Sequence, residues 1–133
     1  MGVIQFRGLI EAMEAMEAIL GTRPAAVELI DRMILDQTKG SLSLSTQRGW
    51  VVGEPEAVLV VEYYGEGTGD LAAKLDELEA LAAANGIGYA FHRATAAAEQ
   101  ANVWNVRKAG LGLLMGIKGD HKPVAFVEDA AVS

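Results

Sequence analysis

Few side chains in this sequence are placed to do chemistry, and the foremost is Arg107. Its helical neighbours at spacings of three and four are Val103, Trp104, Gly110 and Leu111, so its surroundings are apolar. A guanidinium there must snorkel to the surface, meet an internal carboxylate or grip an anionic ligand. Its planar fork suits a substrate carboxylate. The only histidines, His92 and His121, have no HxH or HExxH spacing, so no metal site is expected. Ser41, Ser43 and Ser45 lack a glycine elbow and a nearby base. Glu128 and Asp129 form a carboxylate pair, but adjacent strand residues point to opposite faces and do not share a proton.

Two glycine patterns imitate nucleotide motifs. Gly65-Glu66-Gly67-Thr68-Gly69-Asp70 follows a strand and opens a helix, yet Asp70 stands where the third glycine belongs. Glu66 and Asp70 would put negative charge where a pyrophosphate must sit. A flexible strand-to-helix turn is the better reading. Gly110-x-Gly112-x-x-x-Gly116 falls late in a helix, where the fingerprint's mechanics are absent. There the glycines mark either an early, irregular helix end or the close approach of another backbone.

The elements that position these residues follow from periodicity. A strand is expected at 3–6, then an amphipathic helix at 9–20 with Leu9, Met13, Met16 and Leu20 inward and Glu11, Glu14 and Glu17 outward. Gly21 should stop that helix in the left-handed conformation, and Pro24 should hold Arg23 extended. Residues 25–31 fit both periods, and read best as a short strand running into a helix at about 31–38. The polar stretch 39–53 reads as a long surface loop. A Val-rich strand at 57–64 precedes a helix at 70–85, capped by Thr68 or Asp70 and ended by Asn85-Gly86. A strand at 87–93, a helix from Thr95 towards Leu114 and a strand at 124–127 complete the order. The class is α+β: a ferredoxin-like antiparallel sheet with helices on one face, plus an extra C-terminal helix and strand.

With 133 residues the chain suits one domain, and an apolar share of 51% supports a core. A formal charge of −7 opposes binding to nucleic acid or to an anionic membrane surface. The absence of cysteine excludes disulfides and thiolate chemistry and fits a reducing compartment. Glu11, Glu14 and Glu17 are incompatible with a secretory h-region, and no apolar run is long enough to span a membrane. A cytoplasmic domain is expected. Strands close to both ends suggest a segment cut from a longer polypeptide.

Three segments together resemble one family: Pro24-Ala25-Ala26-Val27-Glu28-Leu29-Ile30-Asp31-Arg32, the stretch 55–65, and a C-terminal part holding Trp104-Asn105-Val106-Arg107-Lys108-Ala109-Gly110 and Val127-Glu128-Asp129-Ala130-Ala131-Val132. They are similar to the C-terminal domain of FAD-linked oxidases, the group of D-lactate dehydrogenases, glycolate oxidase subunits and D-2-hydroxyglutarate dehydrogenases. The likeness covers essentially the whole chain, and is nearest to long bacterial members with an iron–sulfur portion after the flavin portion. It implies an upstream FAD-binding domain in the same polypeptide, an iron–sulfur cluster elsewhere in it, and a 2-hydroxy acid as substrate. This domain would form the substrate side of the flavin site. Residues 1–94 would be a ferredoxin-like half and 95–133 the start of a second half. By resemblance Arg107 contacts the substrate carboxylate, with Trp104, Lys108, Glu128 and Asp129 lining the site. Hydroxyglutarate-type relatives carry a lysine where Val127 stands, and their histidines of a glycine-histidine motif match nothing before Ser133. No catalytic residue is therefore expected within the chain. A free-standing ferredoxin-like module that binds a small ligand or dimerises, without catalysis, is the competing reading.

Overall fold

A computed structural model describes residues 1–116. The expected strand at 124–127, together with His121, Glu128 and Asp129, lies outside the described residues. The element order is β1 (Gly2–Phe6), α1 (Leu9–Leu20), β2 (Ala26–Asp31), α2 (Arg32–Gln37), a 3-10 turn (Thr46–Arg48), β3 (Ala57–Glu62), α3 (Thr68–Asn85), β4 (Ala90–Arg93) and α4 (Ala97–Met115). The four strands form one antiparallel sheet in the order β2-β3-β1-β4. This is the ferredoxin-like arrangement expected from the sequence.

The sheet separates two apolar clusters, because side chains alternate across each strand. On one face Ile4, Phe6, Ala57, Leu59 and Val61 meet Ala12, Ala15 and Ile19 of α1 and Leu75 and Leu78 of α3. On the other, Val3, Ile30, Val58 and Val60 meet Leu35 of α2, Trp50, and Val103 and Val106 of α4. The ferredoxin-like helices thus share one face as expected, while the extra helix α4 covers the opposite one with α2. Cover on both faces explains why residues 57–61 read as an unbroken apolar run. Each fully buried valine, leucine or isoleucine here contributes roughly 1.5–3 kcal/mol.

Several expectations fail for local reasons. The buried stripe of α1 is Ala12, Ala15 and Ile19, whereas Leu9, Met13 and Leu20 are exposed and Met16 is half-buried. Alanines let the helix lie close on the sheet, so the larger side chains fall on its flank. Gly21 is right-handed, with φ −58°, and the left-handed residue is Arg23, at φ 56°. The turn is closed by hydrogen bonds from the Thr22 amide to Ile19 O and the Arg23 amide to Leu20 O, and Thr22 Oγ1 lies 2.5 Å from the Tyr63 hydroxyl. α3 starts earlier than expected, with Gly67 as N-cap and no side-chain cap from Thr68 or Asp70. Asp70 instead places its charge in the first turn, where the helix dipole favours it.

β4 is shorter than the expected 87–93, because Gly88 turns at φ 70°. A Cβ there would lie 2.8 Å from Gln5 O and 2.6 Å from Ile4 Cγ2, so only glycine admits this approach to β1. The stretch 39–53 is the mostly exposed loop expected, but it is pinned to the fold at two points. Leu44 and Trp50 are buried, and Arg48 Nη1 donates to Leu35 O at 2.7 Å. Gln5, buried in the central strand, donates from Nε2 to Trp50 O and accepts the Val52 amide, both at 2.8 Å. No helix of the described residues is long and apolar enough to cross a membrane.

Candidate functional site at Arg107

α4 buries Val103, Val106, Gly110 and Leu114, spaced three, four and four, against the sheet and α2. Arg107 lies on the flank of that stripe and leans over edge strand β2. Its Nε donates to Glu28 Oε1, an ion pair with side chains 29% and 33% exposed. Glu28 belongs to the α4-facing side of β2, since Val27 and Leu29 pack into the cluster beneath α1. Among the described residues no carboxylate meets the Nη atoms of Arg107. The internal ion pair is one of the fates the sequence left open for this side chain. It occupies the Nε edge of the guanidinium and leaves the Nη edge to donate to another carboxylate.

The helix that carries Arg107 is fixed by Gly110. A Cβ at that position would clash with Ile34 O and sit 2.7 Å from Ile34 Cγ2. The glycine therefore marks a close backbone approach, and α4 continues past it to Met115. A Cβ at Gly112 would meet nothing within 4 Å among the described residues. Trp104, three residues before Arg107, is half-buried against the α4-side cluster, and Lys108 is exposed beside it. Helical spacing puts Trp104, Arg107 and Lys108 on one flank. Glu128 and Asp129 lie outside the described residues, so their place relative to this flank is not part of the geometry.

Away from Arg107, a cleft towards β4 is lined by Thr46, Gln47, Trp50, His92, Glu99 and Asn102. Glu99 is committed to the start of α4: its Oε2 accepts the amides of Ala96 at 3.0 Å and Thr95 at 2.9 Å. Those bonds hold its carboxyl below the usual range, which makes it a poor proton acceptor. Among the described residues no three His, Asp or Glu side chains are grouped to hold a metal ion.

The turn at residues 65–70 does not form a phosphate cradle for FAD. The α3 N-terminus begins at Gly67, with Asp70 in its first turn and Glu66 just before it. A pyrophosphate there would face carboxylates instead of free amides alone. This turn does not fit the dinucleotide's pyrophosphate.

The sequence points to Arg107, Trp104 and Lys108 as candidates but does not single out Glu28. The strand alternation in 26–31 is the signal that places Glu28 on the α4 side; its pairing with Arg107, 79 positions away, has no local signature.

The whole chain, residues 1–133, matches the family of FAD linked oxidases, C-terminal domain. It is similar to the D-2-hydroxyglutarate dehydrogenases of Pseudomonas putida, at 23% identity over 137 residues, and of Pantoea ananatis, at 26% over 140 residues. The enzyme of that name from Escherichia coli is also 26% identical over 140 residues. Each alignment covers 97% of this chain, which spans only 13–14% of the relatives' length. The likeness runs through the Arg107 helix and the strand bearing Glu28, and the chain belongs to the FAD linked oxidase C-terminal domain family.

Proposed function

We propose that this chain forms the substrate side of the flavin site in a longer FAD-dependent oxidoreductase that oxidises a 2-hydroxy acid. The substrate is of the D-lactate, glycolate or D-2-hydroxyglutarate type, the last favoured by the names of the relatives. An upstream domain of the same polypeptide holds FAD, as the family resemblance implies, and an iron–sulfur cluster elsewhere in the protein is compatible with the same resemblance. Residues 1–94 act as one ferredoxin-like half, and 95–133 lead into a second. When bound, FAD supplies the hydride acceptor. This chain supplies binding and orientation: Arg107 grips the substrate carboxylate through its Nη edge, flanked by Trp104 and Lys108, with Glu128 and Asp129 as further lining. No residue of the chain is assigned as catalytic.

The carrying observation is the Arg107 fork, held at Nε by Glu28 on a helix locked by Gly110. A solely structural role for Arg107, within a ligand-binding or dimerisation module, is favoured by the same ion pair, so the two readings need a kinetic test. In the intact flavoprotein, Arg107→Ala should lower kcat/KM by about 2 kcal/mol, roughly thirty-fold, as expected for loss of a charged hydrogen bond. Unchanged kinetics would return Arg107 to the structural role. The isolated chain should carry no flavin; stoichiometric flavin absorbance would overturn the division of labour.

A further inference from the structure

We propose that Glu28 is a positioning residue for Arg107, dictating which edge of the guanidinium meets the substrate; this rests on Arg107 being the carboxylate anchor. An arginine stem has four rotatable bonds, and an untethered one spends much of its time away from any single pose. Here the Nε–H is spent on Glu28 Oε1. Because the guanidinium is planar, a partner at Nε turns the Nη1–Nη2 edge away from β2, ready for a bidentate carboxylate. Glu28 is well placed to impose this. It sits in the β2–β3 ladder opposite Val60, whose own side chain is fully buried, so its backbone is fixed. Its side chain is only one-third exposed, as is that of Arg107.

The pair also has an electrostatic consequence. Glu28 cancels the Arg107 charge, leaving the adjacent Lys108 as the net cation on this flank. A neutral acceptor in place of Glu28 would keep the orientation and remove the repulsion it exerts on an incoming anion. Orientation and charge are therefore separable by substitution.

The test uses the intact flavoprotein with D-2-hydroxyglutarate and, in parallel, D-lactate. Glu28→Ala should raise KM roughly tenfold, the value of one charge-assisted hydrogen bond, with kcat within about twofold. Glu28→Gln, close in shape, should restore KM to the wild-type value or below it. The double variant with Arg107→Ala should be no worse than Arg107→Ala alone, because Glu28 acts through Arg107. A wild-type KM in Glu28→Ala beside an impaired Arg107→Ala would overturn the positioning role and leave the anchor standing. A wild-type KM in Arg107→Ala would overturn the anchor itself. Glu28→Gln as impaired as Glu28→Ala, at an unchanged melting temperature, would also overturn positioning by an accepted hydrogen bond.

Discussion

Gly110 of α4 and Ile34 of α2 meet so closely that a single methyl group would not fit between them: a Cβ on Gly110 would clash with Ile34 O and lie 3.1 Å from the Ile34 carbonyl carbon. Two helices that cover the same face of the sheet are thereby set at one separation. Arg107 is three residues, less than one turn, before this contact.

Gly110→Ala should therefore destabilise the chain despite alanine's higher helix propensity. Propensity favours the change by about 1 kcal/mol. Overpacking against a backbone carbonyl, which cannot swing aside, costs roughly 1–3 kcal/mol or more. Urea unfolding should show a lower midpoint. In the intact flavoprotein KM should rise as well, since Arg107 moves with α4. A midpoint above wild type would mean that the helices are free to separate.

Gln5 should be equally intolerant of Gln5→Leu. The side chain is fully buried and makes both of its bonds to the 50–52 segment. Leucine fits the volume but abandons Trp50 O and the Val52 amide, at a cost of about 1–3 kcal/mol for each group left without a partner. Denaturant melts should show the loss. Trp50 fluorescence should report loosening of the segment at lower denaturant than global unfolding.

The fold was legible in outline because its strands are strongly patterned, with residues 57–61 the clearest example. Helix faces were harder. In α1 the large side chains at Leu9, Met13 and Leu20 suggested the buried stripe, yet Ala12, Ala15 and Ile19 form it. Size alone does not reveal which flank lies on a sheet. The 39–53 segment is the exposed loop its polar composition implies, but that composition hid two buried anchors, Leu44 and Trp50, and the Arg48 and Gln5 hydrogen bonds that tie the segment down. Arg107 stood out as a charge among apolar neighbours. Its partner Glu28 did not, because a carboxylate on an edge strand resembles any solvated residue until the fold is assembled.

Stability should fall on acidification through the charge network that runs along α2, from Arg32 to Lys39. Asp36 meets Lys39 Nζ at 2.7 Å and Arg32 Nε at 3.3 Å, while Arg32 also pairs with Glu54 and Glu56. The Lys39 ammonium, with the Arg32 guanidinium beside it, holds the Asp36 carboxyl below its usual range. A depressed folded pKa contributes stability that is complete above the unfolded value of about 4 and is lost as pH falls through the folded one. Asp36→Asn should thus be less stable than wild type at neutral pH, with the gap closing below about pH 4. Melting temperatures across pH 2–8 (roughly the span of carboxylate titration) would check this. A gap independent of pH would show that the charge contributes nothing.

Arg107→Lys is the most discriminating change at the site. Lysine preserves the charge, so an anion attracted only by net positive potential would bind nearly as well as before. It does not preserve the fork. One ammonium on a flexible stem cannot hold Glu28 from Nε while presenting two parallel N–H groups to a substrate carboxylate. With Glu28 nearby in the ladder, the ammonium should pair there and turn away from the substrate. In the intact flavoprotein, Arg107→Lys should therefore lose most of the roughly thirty-fold in kcat/KM expected for Arg107→Ala. Combining it with Glu28→Ala, which removes the acceptor, should recover part of that loss by releasing the ammonium. Wild-type kinetics in Arg107→Lys would show that the site reads charge alone and that the two edges of the guanidinium have no separate work.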